Sequence, residues 1–123
     1  MLNKQDFLNA VYQDIEMVRG DTLAFNFSLK GLGAVESELY FTCKEHYEDS
    51  EALFSCMSGY GIERVEYDIA TDTSTYAVWV DPVKTEGLDL DRYYYDLELR
   101  YSNDVITLMR GRLTLLYDVT KGA

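Results

Sequence analysis

Imidazole chemistry has one possible source in this chain, because His46 is its only histidine. A Ser-His-Asp or Cys-His site would have to use it. Its neighbours Glu45, Glu48 and Asp49 would raise its basicity. No local nucleophile motif accompanies it, so His46 reads as a surface residue in an acidic loop. Cysteine is nearly as scarce. Cys43 and Cys56 cannot make a disulfide framework, and with a single histidine they do not make a zinc set. Cys43 falls on the apolar face of an expected strand, where a free thiol behaves as a small hydrophobe. Reduced cysteines and synthesis in a reducing compartment are expected. Basic residues are also few, 11 against 22 acidic ones, for a net charge of -11 and a pI near 4.3. Arg110 and Arg112 are the nearest approach to a basic pair. Such a surface repels phosphate backbones and anionic membranes, so neither nucleic acid nor membrane is an expected partner. The acidity favours solubility and also suits docking to a basic protein. No run approaches the roughly 18 apolar residues of a membrane span. No basic segment precedes an apolar one at the N-terminus, so no signal peptide is expected. Gly31-Leu32-Gly33 lacks the further glycine, Lys and Ser/Thr of a phosphate loop.

Hydrophobic residues, by contrast, make up 47% of the 123 positions, and tyrosine alone occurs 11 times. That is enough for one domain burying roughly two thirds of its unfolded surface without a metal or disulfide. Their spacing is period two. Leu23, Phe25, Phe27 and Leu29 alternate with Ala24, Asn26, Ser28 and Lys30. Leu39, Phe41 and Cys43 alternate in a strand from Glu38 to Lys44, and a short strand is expected over Ala52 to Met57. Val65, Tyr67 and Ile69 form the apolar parity of another, and Tyr76, Val78 and Val80 of the next, with Ala77 and Trp79 outward. Ile15 and Met17 suggest a first strand ending at the Arg19-Gly20-Asp21 turn. Asp81-Pro82 opens a helical turn near 82–87, with Asp81 as its N-cap and Gly87 at its close.

The last third is the clearest segment. Tyr93, Tyr95, Leu97, Leu99 and Tyr101 share one face, opposite Tyr94, Asp96, Glu98 and Arg100. Ser102-Asn103-Asp104 then reads as the turn of a β-hairpin. In the following strand Ile106 and Leu108 lie on one parity and Leu113, Leu115 and Tyr117 on the other. Gly111 stands between, which suggests a bulge or bend there and a strand crossing from one sheet to the other. About seven to eight short strands, with turns every 8 to 12 residues or so and no long helical period, indicate an all-β fold. The expected form is an antiparallel Ig-like β-sandwich over 15–120. Residues 1–14 precede it as an N-terminal arm or short helix, and residues 121–123 follow as a tail.

Candidate sites are sparse. Asp89, Asp91 and nearby Asp96 offer oxygen ligands that calcium accepts. Tyr93 stands where an EF-hand loop has Asp or Asn and the turn glycine is missing, so a solvated acidic turn is the plainer reading. Trp79 and Tyr94 fall on outward parity and are candidates for an interface or a sugar-stacking platform, as are Phe7 and Leu8 of the arm for an interface. Both faces being covered within the domain is the competing reading. No cofactor is expected. A small hydrolase would rest on abundant carboxylates alone.

Arg19-Gly20-Asp21-Thr22 leading into Phe25-Asn26-Phe27, the Asp81-Pro82 turn, Tyr95-Asp96-Leu97-Glu98-Leu99 and the closing Leu108–Thr120 stretch occur in one order. In these pieces, across about Ile15 to Thr120, the chain resembles the β-sandwich domain at the N-terminus of phage baseplate upper proteins and related tail or fibre-attachment proteins. The resemblance implies a non-catalytic virion protein of a phage or prophage, made in the bacterial cytoplasm. Its partners would be other tail or baseplate proteins and further copies of itself. Two departures bear on the adaptor role. Arg92 stands where such domains often have glycine before the Tyr-x-Tyr-Asp piece, and the given sequence stops at Ala123 where many relatives continue. A carbohydrate- or calcium-binding module is the alternative.

Overall fold

A computed structural model describes residues 11–120. Nine strands and one helical turn follow one another: β1 (Val11–Tyr12), β2 (Ile15–Val18), β3 (Leu23–Lys30), β4 (Glu38–Lys44), β5 (Phe54–Ser58), β6 (Gly61–Asp68), β7 (Thr73–Val80), α1 (Val83–Glu86), β8 (Arg92–Tyr101) and β9 (Asp104–Leu116). The all-β expectation holds. The pairing differs from two separate layers, because the strands join one sheet in the order β1-β9-β8-β4-β5-β6-β7-β3, with β2 also on β9.

Ring contacts give the shape of that sheet. Phe25 on β3 packs edge-to-face on Phe41 of β4, with centroids 5.8 Å apart. Four strand spacings separate β3 from β4 along the sheet, which in a flat sheet would be about 19 Å. The sheet therefore curls into a half-barrel, and one limb (β2, β9, β8, β4, β5) faces the other (β6, β7, β3). Phe41 is fully buried between them and also meets Tyr95 and Phe54. Leu39, Val78, Val80, Leu97, Leu99 and Leu113 complete the centre of the core.

The bend lies at β5/β6. Gly59 and Tyr60 alone separate the two strands, which pair in parallel at Met57–Gly61 and Ser58–Ile62. Backbone bonds Met57 N–H to Tyr60 O (2.9 Å) and Gly59 N–H to Ile62 O (3.0 Å) close the corner. Gly61 has φ +93°, and a Cβ there would lie 2.9 Å from the Trp79 carbonyl oxygen. Only glycine suits both the conformation and the approach.

Several local expectations shift. β6 begins at Gly61 and buries Ile62. Val65 is the extra residue of a bulge between Arg64 and Glu66, and Val65 and Ile69 are exposed. The bulge reverses the parity on which the sequence pattern rested. The β8–β9 turn has two residues rather than three, since Tyr101 pairs with Asp104 and Ser102 takes φ +56°. The phase change in β9 falls at Leu108, which is skipped between Met109 opposite Leu97 and Thr107 opposite Glu98. Strand β9 stays paired with β8 past Gly111 and does not cross to another sheet. Tyr117 lies beyond the strand and is exposed. Asp81 makes no side-chain cap on α1. Its carboxylate accepts the Trp79 indole N–H instead, at 2.8 Å.

The end of the expected arm is part of the sheet. β1 and β2 run parallel to β9, and Gln13 and Asp14 bridge them. The Gln13 N–H donates to Arg110 O, and the Asp14 carboxylate accepts the Arg112 N–H at 3.0 Å. Phe7 and Leu8 lie outside the described residues. Cys43 and Cys56 are both free and buried. Burial pushes the Cys43 thiol up to about 12, so it carries no thiolate at neutral pH.

Candidate functional site

Alternation places Thr42, Lys44, Tyr94, Asp96 and Arg110 together on the outer face of β4, β8 and β9. Thr42 opposes Asp96, Lys44 opposes Tyr94, and Asp96 opposes Arg110. Tyr47, from the loop after β4, folds back so that its ring stands 4.1 Å from that of Tyr94. The Arg110 guanidinium lies 5.7 Å from the Tyr47 ring centre. With Thr107 and Tyr95 these residues line an open depression of about 190 Å³. Asp96 is half-buried at its floor. Desolvation holds its carboxyl above the usual range, and nearby Glu98 adds to the shift, whereas Lys44 and Arg110 oppose it.

This raised value has a stability consequence. The native state binds the Asp96 proton more tightly than the unfolded chain, so the charged form is a burden at neutral pH that acidification relieves. Asp96→Asn is expected to raise the urea midpoint at pH 7. The advantage should shrink as the pH falls through the raised value and vanish below the ordinary carboxylate range. Urea titrations of both proteins at neutral and acid pH check it, and an unchanged or lowered midpoint at pH 7 would contradict it.

Trp79 occupies a different surface. The residue is 55% exposed on the outer face of β7, where its indole N–H is tied to Asp81. Strands β4, β5 and β6 separate it from Tyr94, so the two aromatic candidates do not form one platform. On β3 and β7 the outer residues beside Trp79 are small and uncharged, Ala24, Asn26 and Ser28 with Thr75 and Ala77, while β6 sets Glu63 opposite Ala77 and Glu66 opposite Thr75. The Ser28 and Thr75 hydroxyls are 3.0 Å apart and bond each other. Strand β3 pairs with β7 alone, so along its other side no described strand takes its backbone groups.

The calcium candidates are not brought together. Asp89 uses its carbonyl to accept the Tyr93 hydroxyl, and Asp91 accepts the N–H of Arg92. Asp96 faces Lys44 and Arg110. Among the described residues no three His, Cys, Asp or Glu side chains converge as a metal ion requires. His46 is exposed, and its backbone N–H is bonded to the Asp49 carboxylate.

The free edge of β3 and the Tyr47 contribution escaped the pattern of residues. An edge is defined by which strand lies last in the sheet. Tyr47 reaches Tyr94 only through the turn of the loop that carries it. In comparisons with models of known protein families and with curated protein sequences, none matches this chain.

Proposed function

We propose that this chain is a non-catalytic structural or assembly protein of a phage or prophage particle, a tail or baseplate component acting through protein contacts and oligomerisation. In this reading the two limbs of the curled sheet stand in for the two layers of an Ig-like sandwich. The protein is made in the host cytoplasm and resides in the virion. The observation that carries it is the bareness of one surface. Charged residues make up 27% of the chain, yet the two eight-residue strands β3 and β7 carry a single charge, Lys30. That surface ends in an open strand edge and presents Trp79, a residue type favoured where proteins meet. The uncharged area is confined to these two strands, because β6 beside them carries Glu63 and Glu66. The sequence resemblance from Ile15 to Thr120 supplies the particle.

Mass spectrometry of purified particles from a strain carrying the gene is the test. The chain is expected at stoichiometric levels, and its absence from intact particles would sink this reading. A second reading, a carbohydrate-binding module, is favoured by the Tyr47–Tyr94 pair beside Asp96, since aromatic faces with a carboxylate and an arginine suit a sugar ring. A glycan panel with the intact chain separates the two.

A further inference from the structure

We propose that two copies of this chain join edge to edge through β3, forming one antiparallel sheet across a two-fold axis at which Asn26 faces Asn26. The inference rests on the assembly reading and names its first partner.

The two ends of the sheet are built differently. At one end β1 and β2 are two and four residues long and interrupted at Gln13–Asp14, and β2 bears Glu16. Short, broken and charged strands resist pairing with another chain. At the other end β3 runs for eight residues in unbroken register with β7. It contains no proline, no acid and no bulge, and Lys30 is its last residue. Its inward side chains Leu23, Phe25 and Phe27 remain only half-buried. One more strand alongside would cover them.

The sequence of β3 is complementary to itself. Antiparallel pairing centred on Asn26 sets Leu23 against Leu29, Phe25 against Phe27 and Ala24 against Ser28. A two-fold axis perpendicular to the sheet keeps both apolar faces on the same side. A slip of one residue would oppose inward to outward side chains. A slip of two would set Leu23 against Gly31, or Leu29 against Asp21. Only the Asn26 centre pairs all four apolar residues with one another. Two bodies of net charge -11 repel, and β3 and β7 bring no carboxylate to the junction. The extended face would be continuous, with Trp79 of each copy flanking it.

Analytical ultracentrifugation of the full chain tests this. Wild type is expected to dimerise reversibly. Asn26 is exposed, so Asn26→Lys and Asn26→Asp should leave the fold intact by circular dichroism. Each should weaken self-association by about tenfold or more, by placing like charges across the axis. An equimolar mixture of the two should recover a dimer. Asn26→Cys should cross-link to itself on mild oxidation, because Cys43 and Cys56 are buried. A wild-type chain that stays monomeric at about 100 μM, where even weak pairing shows, overturns the proposal. A dimer that both charge variants retain also overturns it, and leaves the assembly reading standing. Absence from particles removes that reading while the dimer remains measurable.

Discussion

Replacing Phe41 with alanine is expected to reduce the free energy of unfolding by about 4 kcal/mol. Phe41 is wholly enclosed and touches three other rings, Phe25, Phe54 and Tyr95. Its contact with Phe25 joins the two limbs of the sheet, whereas those with Phe54 and Tyr95 lie within one limb. Alanine removes the transfer free energy of the ring and leaves a cavity that a curled sheet, hydrogen-bonded on both sides, cannot collapse to fill. The loss is a large fraction of the 5–15 kcal/mol or so that a small domain has in all. Urea denaturation followed by Trp79 fluorescence measures it. Phe41→Leu, which keeps much of the volume, should lose roughly half as much. A negligible loss for Phe41→Leu would mean that the ring contacts contribute little beyond filling space.

Gly111→Ala is expected to lower stability by about 3 kcal/mol and to detach β1 and β2 from β9. A Cβ on Gly111 would stand 2.1 Å from the Gln13 carbonyl oxygen and 2.7 Å from its carbonyl carbon. These are backbone atoms, so no side-chain rotation relieves the overlap. Tyr95 sits opposite Gly111 on β8 and donates its hydroxyl to that same Gln13 oxygen. The glycine thus makes room for a backbone crossing that the tyrosine anchors. In the Gly111→Ala background Tyr95→Phe should add little, because the bond is already lost. In the wild type it should cost about 1 kcal/mol. Hydrogen exchange at Gln13 and Ile15 reports the detachment directly. A variant with native protection there would refute the account.

The recognition of Gly111 illustrates how far local pattern reaches. A glycine inside a strand signals that something unusual happens to the backbone. A parity change nearby made a bulge the natural reading. The bulge is three residues earlier at Leu108, and the glycine serves a chain segment nearly a hundred residues away. Val65 shows the same confusion in reverse. Of the apparently inward set Val65, Tyr67 and Ile69, Tyr67 lies opposite buried Ser74, Val65 is exposed as the extra residue of a bulge, and Ile69 lies in the turn beyond the strand. Where no bulge intervenes, as in β3, β4, β7 and β8, the inward residues are the alternating apolar ones.

Among candidate site residues, Tyr94 and Trp79 were legible as outward aromatics. Their separation was not, since alternation reports a face and says nothing about which strands are neighbours. Asp96 was singled out as an oxygen ligand, and its neighbours Lys44 and Arg110 make it a different kind of site. The sequence by itself determined that these residues form strands and, where no bulge resets the count, which parity is apolar, because those depend on side-chain period and on turn residues a few positions apart. Tertiary structure alone decided that the strands make one curled sheet, that β3 lies at its edge, and that Tyr47 covers Tyr94. Hydrogen-bond pairing between distant segments is set by the closure of a shared core, and no short stretch of sequence contains that information.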